Sequence, residues 1–328
     1  MSVIVFGGAG FIGSNLVDEL AVQGHRVTVF DNFSEGKIEN LERWRNSPYV
    51  EIVRGDIRDY AAVYQATQGK DWAFHLAAMS RIQPSITDPL LAWSQNLIGT
   101  GNVLEACRKN GVKRVVYSAS SSCYGLKNKI PLDESMPSDC LNPYALSKRV
   151  GEEMMELYRK LYGLSTVSLR YFNVYGPRHQ EEGSYATVIA IFRKQKRLGQ
   201  PLTIVGTGEK RRDFTFVGDV VRANMMAAMN RDVYGTINIG TGKNYSINEV
   251  ADIVLGSTVL PQVVGAWEEY RSKSVQYIPD RPAEAMETLA DNTRAREILG
   301  WTPRVTLQQG LMVLDEYERV NSRIVIPG

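Results

Sequence analysis

The strongest constraint on this chain lies in its first thirteen residues. An apolar run, Ser2–Phe6, leads without a linker into Gly7-Gly8-Ala9-Gly10-Phe11-Ile12-Gly13. Glycines at 7, 10 and 13 permit a tight turn, a close approach of backbone to a pyrophosphate, and contact between the following helix and the strand before it. The helix opening at Phe11 turns its free N–H groups to the same place, and such a helix end favours anions. A second β-branched run, Arg26-Val27-Thr28-Val29-Phe30, ends in Asp31. A carboxylate there accepts hydrogen bonds from both ribose hydroxyls of a dinucleotide and repels a 2′-phosphate. Asn32 follows and no Arg adjoins, so the pattern predicts NAD rather than NADP.

Further apolar runs alternate with helix-like segments. Strands are predicted near Ser2–Phe6, Arg26–Phe30, Val50–Val53, Trp72–His75, Arg114–Ser118 and Thr166–Arg170, and helices over Phe11–Gln23, Leu90–Asn110 and Pro143–Tyr162. This alternation predicts an α/β chain: a doubly wound parallel sheet of Rossmann type with a smaller α/β substrate-binding lobe. Residues 1–178 read as the dinucleotide-binding domain, with a return segment near 213–242 that includes a strand at Thr236–Ile239. Residues 179–328 read mainly as the lobe laid across the strand ends. Asp56, just past the third strand, fits either the adenine edge of the cofactor or the cap of the next helix.

Composition closes off other classes. A formal charge of +2 over 328 residues, without a long basic run, gives no broad surface for nucleic acid. No segment approaches the roughly 18 uninterrupted apolar residues of a membrane span, and the N-terminus lacks the charged region of a secretory signal. Cys107, Cys123 and Cys140 show no CxxC spacing, and His25, His75 and His179 sit in no metal-ligand motif. A cytoplasmic protein with reduced thiols and no metal is expected.

Chemistry is suggested by Tyr144 and Lys148, four apart in Asn142-Pro143-Tyr144-Ala145-Leu146-Ser147-Lys148. Proline near the start and helix formers beyond put both on one helix face. A phenol titrating near 10 is a poor base at neutral pH, and bringing it close to 7 requires about 4 kcal/mol of differential stabilisation. An ammonium and a nicotinamide cation nearby act in that direction. Val115-Val116-Tyr117-Ser118-Ala119-Ser120-Ser121-Ser122-Cys123-Tyr124-Gly125 adds a strand running into serines. One hydroxyl there can share a proton with Tyr144; a plain Ser-rich turn is the other reading.

Together, the glycine loop, the Ser cluster ending in Tyr-Gly, the YxxxK and Arg170-Tyr171-Phe172-Asn173-Val174-Tyr175-Gly176-Pro177-Arg178 resemble the extended short-chain dehydrogenase/reductase family of NAD-dependent epimerases and dehydratases. Within it the chain is most similar to the UDP-glucose and UDP-N-acetylglucosamine 4-epimerases, with motifs in order from Ser2 to Trp301-Thr302-Pro303. The resemblance implies Tyr144 as base, Lys148 as its electrostatic partner and nicotinamide-ribose ligand, and Ser120 as the hydroxyl on the substrate oxygen. It implies Asn173, Arg212 and Arg281 at the nucleotide diphosphate, a role that suits guanidinium groups by charge and bidentate geometry. It extends the cofactor site over Gly7, Gly10, Phe11, Ile12, Gly13, Asp31, Asn32, Asp56, Ile57, Leu76, Ala77, Ala78, Asn96 and Tyr171. It also implies a homodimer, formed through the helices of Asn96–Cys107 and Tyr144–Tyr158.

The same scaffold serves epimerases, 4,6-dehydratases, decarboxylases and reductases, so the reaction must be argued from the site. Dehydratases of this family follow the residue matching Ser120 with an Asp-Glu pair, and decarboxylases carry Glu where this chain has Ser122. Here Ser121 and Ser122 cannot do that proton work at neutral pH. Cys123 lies one position beyond the cysteine of the reductases and 3,5-epimerases, so in an extended segment it faces away and reads as packing. What remains is oxidation and re-reduction at one carbon: a nucleotide-sugar 4-epimerase working through a 4-keto sugar, on a substrate expected to be UDP-linked. UDP-glucuronate 4-epimerase, 4,6-dehydratase or reductase activity remains as the alternative, and a non-catalytic NAD-binding scaffold is the rival from another class. Thr288 falls where a large Tyr restricts some 4-epimerases to non-acetylated hexoses, which leaves room here for N-acetylated sugars.

Overall fold

In the computed structural model, which describes residues 1–181, 186–256, 266–280 and 285–322, seven parallel strands run through the centre of the molecule. They are β1 (Ser2–Phe6), β2 (Arg26–Asp31), β3 (Val50–Arg54), β4 (Trp72–His75), β5 (Arg114–Ser120), β6 (Thr166–Tyr171) and a seventh, Gly235–Ile239. Across the sheet the order is seventh strand, β6, β5, β4, β1, β2, β3. Val3 of β1 faces Val27 of β2 on one side and Trp72 of β4 on the other. The strand order reverses there, and open α/β sheets bind ligands at such a point.

Alternation along β1 explains why the strand is apolar throughout. Val3 and Val5 enter the core on one face, Ile4 and Phe6 the core on the other, and all four are fully buried. The segment read as a strand at Thr236–Ile239 joins the main sheet beside β6, with Asn238 opposite Arg170.

Two helices position the site. The first, α1 (Phe11–Val22), begins after Gly10 with no side-chain cap, so its leading N–H groups point unblocked at the glycine loop. The second, Pro143–Tyr162, starts where Asn142 Oδ1 accepts the Ala145 N–H at 2.9 Å and ends at Gly163 with φ +67°. The single helix expected over Leu90–Asn110 is in fact three pieces: Pro89–Trp93, a π-helical turn at Ser94–Ile98, and Gly99–Lys109. The wide turn carries Asn96, whose amide donates to the Met79 carbonyl at 3.0 Å and to Ser147 Oγ at 2.9 Å and accepts the Met79 N–H at 2.8 Å. Asn96 thereby pins the loop after β4 to the Pro143–Tyr162 helix, a tertiary demand that local periodicity does not encode.

Beyond β6 the chain forms short paired strands, among them Leu202–Val205 with Val275–Ile278 and Arg211–Asp213 with Asn244–Ser246. These lie at the C-terminal edge of the sheet, where Arg212 and Thr203 reach the same cleft as the glycine loop. Among the described residues no helix is long and apolar enough to cross a membrane.

Candidate functional site

A cleft of about 710 Å³ runs along the C-terminal ends of the strands, from the glycine loop to the short strands beyond β6. At one end the backbone is packed so closely that only glycine fits. A Cβ on Gly13 would lie 2.1 Å from the Gly7 carbonyl oxygen, and one on Gly7, where φ is +78°, would lie 2.7 Å from the Ala77 nitrogen. With the uncapped start of α1 above it, this cradle fits a pyrophosphate.

Asp31 closes β2 beside the cradle. Its Oδ2 accepts the Ala9 N–H and its Oδ1 the Phe33 N–H, both at 2.9 Å. Burial raises its pKa above the usual carboxylate value, and these two hydrogen bonds oppose the shift. Asn32 donates to Asp56 Oδ2 at 3.0 Å, and the Arg58 guanidinium beside Asp56 holds that carboxyl well below the usual range. Asp56 does not cap the next helix; Asp59 does, accepting the Ala62 N–H.

The reactive end is built from β5 and the Pro143–Tyr162 helix. Tyr144 and Lys148 both line the cleft, and the Tyr144 N–H donates to Ser85 Oγ at 3.1 Å. Lys148 is 3% exposed; its Nζ donates to the Ser118 carbonyl at 2.7 Å and lies 5.0 Å from the centre of the Tyr117 ring. Burial draws its pKa down to about 7, against the pull of the Glu152 carboxylate. Desolvation raises the Tyr144 phenol above its ordinary value, and the Ser120 hydroxyl and the Arg81 guanidinium lower it. Among the groups of the protein itself, Ser120 and Arg81 ease ionisation of Tyr144, while the Lys148 ammonium bonds a β5 carbonyl.

Ser120 Oγ lies 2.9 Å from Ser122 Oγ and accepts the Ser122 N–H at 3.2 Å, capping a 3₁₀ turn at Ser121–Tyr124. The same oxygen therefore makes the turn and faces the cleft. Since the segment is a turn and not extended, alternation is the wrong reason for the placement of Cys123. Cys123 is nevertheless packed inward, 1% exposed against Leu132 and Phe172, and burial pushes its thiol up to about 12.

At the far end Asn173, held at φ +26°, donates to the Asp213 carbonyl at 3.0 Å and to Thr288 Oγ1 at 3.4 Å. Arg212 and Thr288 line the same wall. Of the candidate residues, Gly7, Gly10, Phe11, Ile12, Gly13, Ile57, Leu76, Ala77, Ala78 and Tyr171 line the cleft together with Asp31, Asn32, Asp56, Ser120, Tyr144, Lys148, Asn173, Arg212 and Thr288. Asn96 does not: it is 1% exposed and its amide is committed to Met79 and Ser147, so the placement of Asn96 against a cofactor is corrected. Arg281 lies outside the described residues. Sequence reading passed over Arg81 and Lys210, which also line the cleft. Arg81 sits in the loop after β4, and its place past a parallel strand was the one available signal.

The profile of the family described as GDP-mannose 4,6 dehydratase matches residues 4–313. The UDP-glucose 4-epimerase of Mycolicibacterium smegmatis is 38% identical over 325 residues, covering 98% of this chain and 100% of that one. Among solved structures, the UDP-N-acetylglucosamine 4-epimerase of Methanobrevibacter ruminantium, in complex with UDP-N-acetylmuramic acid, superposes with a TM-score of 0.89 at 33% identity, covering 98% of each chain. The UDP-glucose 4-epimerase of Thermus thermophilus, solved with NAD, gives 0.83 at 33% identity over 97% of this chain and 99% of that one. Decarboxylases of nucleotide-sugar acids and a dTDP-glucose 4,6-dehydratase are also among the relatives.

Proposed function

Because the chain belongs to the NAD-dependent epimerase/dehydratase family, we propose that it inverts the configuration at C4 of a UDP-linked hexose. Its cofactor is NAD, and the glycine cradle, the start of α1 and Asp31 are the groups that hold it. Three acidic residues line the cleft among the described residues: Asp31, Glu35 and Asp56. Asp31 ends β2, Glu35 follows it and Asp56 follows β3, all on the opposite side of the switch point from Ser120 and Tyr144. This distribution carries the reading, since removing water across two carbons calls for a carboxyl acid and base beside the sugar.

When bound, NAD supplies a reversible acceptor for the ring-carbon hydrogen and its electron pair. The chain supplies the proton chemistry. Tyr144 removes the proton of the 4-hydroxyl and later returns it, with the Ser120 hydroxyl bonded to the same oxygen. Lys148 positions the nicotinamide ribose and carries positive charge next to the phenol. Asn173 and Arg212 grip the diphosphate, so the 4-keto sugar turns about its phosphate linkage while the nucleotide stays fixed.

The experiment is a panel of UDP, dTDP and GDP sugars, with C4 epimers separated after incubation with purified protein. Interconversion of UDP-glucose and UDP-galactose, or of their N-acetylated counterparts, without accumulation of NADH is the expected result. A 4-keto-6-deoxy product, released carbon dioxide or stoichiometric NADH would assign the chain to another branch of the family.

Thr288 presents a small side chain to the cleft, and room beside it favours acceptance of N-acetylated hexoses. Thr288→Tyr is expected to depress kcat/KM for a UDP-N-acetylhexose by about 10–200-fold while sparing UDP-glucose, the range within which pocket shape discriminates. Equal loss on both sugars would remove Thr288 from specificity.

We also propose a homodimer. Leu90, Ile98, Leu146, Leu157 and Leu161 are all exposed on or beside the two helices expected to pair. Light scattering should return twice the 36.7 kDa chain mass. The three cysteines are free thiols, which supports a cytoplasmic placement.

A further inference from the structure

The Pro143–Tyr162 helix carries Tyr144, Lys148 and Glu152 at steps of four, which places all three along one face. The proposed reaction uses the first two. Glu152 binds Arg170 twice, Oε1 to Nε and Oε2 to Nη2, each at 2.7 Å, with both side chains 2% exposed. Arg149 adds a third contact to Oε2 at 3.0 Å. Desolvating two charges is costly, and a well-packed apolar pair is often as stable or more so, so such a pair is weak evidence of a purely stabilising role.

Its place in the fold points to the site. Arg170 stands in register with Ala119, one residue before Ser120, and its guanidinium lies 4.8 Å from the centre of the Tyr124 ring in the serine turn. Around Lys148 are the Ser118 carbonyl, the face of Tyr117, Tyr144, and His75, which burial keeps neutral and whose Nε2 bonds Thr100 Oγ1 at 2.9 Å. Glu152 is the anion among them. Facing Glu152 are Arg170 and Arg149, whose guanidinium groups donate to its carboxylate, and Tyr117, Cys123 and Cys140, which burial keeps neutral.

We propose that Glu152 is a positioning residue whose carboxylate, clamped by Arg170 and Arg149, keeps the buried Lys148 ammonium charged. Its consequence for turnover rests on Tyr144 and Lys148 being the reacting pair; its effect on Lys148 does not. Burial alone favours the neutral amine, and Glu152 opposes it. Removing the carboxylate lowers the pKa of Lys148, so the ammonium is lost at a lower pH. Any rate that needs that ammonium then fails earlier on the alkaline side.

The test uses the full chain with NAD and lysines labelled at Nζ, the Lys148 resonance being identified by its loss in Lys148→Met. In Glu152→Gln the Lys148 titration should move down by about one pH unit, a tenfold change in the protonation equilibrium. Epimerisation of UDP-glucose should fall about tenfold beyond the alkaline limb and stay near wild type on the acid side, as the same equilibrium demands. Glu152→Asp retains the charge and should keep both midpoints. Because Glu152→Gln strands Arg170, the double variant Glu152→Gln/Arg170→Met removes the orphaned guanidinium and should still show the displaced titration. A Lys148 midpoint that stays in place in both neutral variants overturns the proposal, as does a loss of rate that is equal at every pH. If no nucleotide sugar turns over, the functional reading fails while the resonance titration still decides the role of Glu152.

Discussion

Tyr144→Phe is expected to lower kcat for C4 epimerisation by about 10²–10⁴-fold, the usual contribution of a positioned acid–base group. The substitution removes one hydroxyl and little else. The ring stays, and the backbone N–H of residue 144 still finds Ser85 Oγ. Cofactor content, melting temperature and nucleotide affinity should therefore match wild type, which separates a chemical loss from a folding one. The wild-type pH profile should agree. Because desolvation raises the Tyr144 phenol, its base form is scarce at low pH and the rate climbs as pH rises. Burial draws Lys148 to about 7 in the protein alone, so above that pH the loss of its charge offsets the continuing gain in phenolate and the rise levels off. A Tyr144→Phe enzyme that keeps substantial turnover, or a profile without an acid limb, would show that another group handles the proton.

Gly13→Ala should produce the second large effect, at the other end of the cleft. The added methyl would have its carbon 2.1 Å from the Gly7 carbonyl oxygen and 2.9 Å from the Gly8 Cα, both backbone atoms that no rotamer change can clear. Either α1 moves away from β1 or the glycine loop opens, and both spoil the alignment of N–H groups at the pyrophosphate. Purified Gly13→Ala protein is expected to lack bound NAD and to be destabilised by about 1–3 kcal/mol, the range for overpacking a closely fitted contact. Acid extraction of the cofactor and thermal unfolding measure the two effects. Full NAD occupancy would mean that the cradle is not the pyrophosphate site.

How much of this was visible in the chain depends on the range of the cause. β1, the glycine turn, α1 and Asp31 are consecutive or joined by a single βαβ step, so their roles follow from local spacing. Pro143 and Asn142 announce the helix that carries Tyr144 and Lys148, and its start agrees to the residue. The helix over Leu90–Asn110 was misjudged because Asn96 bonds the loop after β4 and the neighbouring helix, and those partners come from distant stretches of sequence. Cys123 was placed correctly for a mistaken reason, since a Ser-rich strand end does not reveal that it will coil into a 3₁₀ turn capped by Ser120.

The electrostatics were the least legible part. Sequence spacing puts Lys148 one turn from Tyr144 but does not say that its ammonium will turn to the Ser118 carbonyl, nor that Arg81 will arrive from the loop after β4 to act on the phenol. Likewise Arg170 looks like one more residue of an apolar strand until β6 pairs with β5 and brings it under Glu152.

From the sequence by itself came the parallel α/β framework, the glycine turn and the placing of Tyr144 and Lys148 on one helix face, because each depends on residues within a few positions of one another; their roles as reacting pair came from the resemblance. The burial of that pair and the direction in which it shifts each group, the capped serine turn and the separation of the acidic residues from Ser120 and Tyr144 came only with the tertiary structure. Burial and charge act through space, and which groups share a low-dielectric cleft is fixed by how the strands line up and not by their order in the chain.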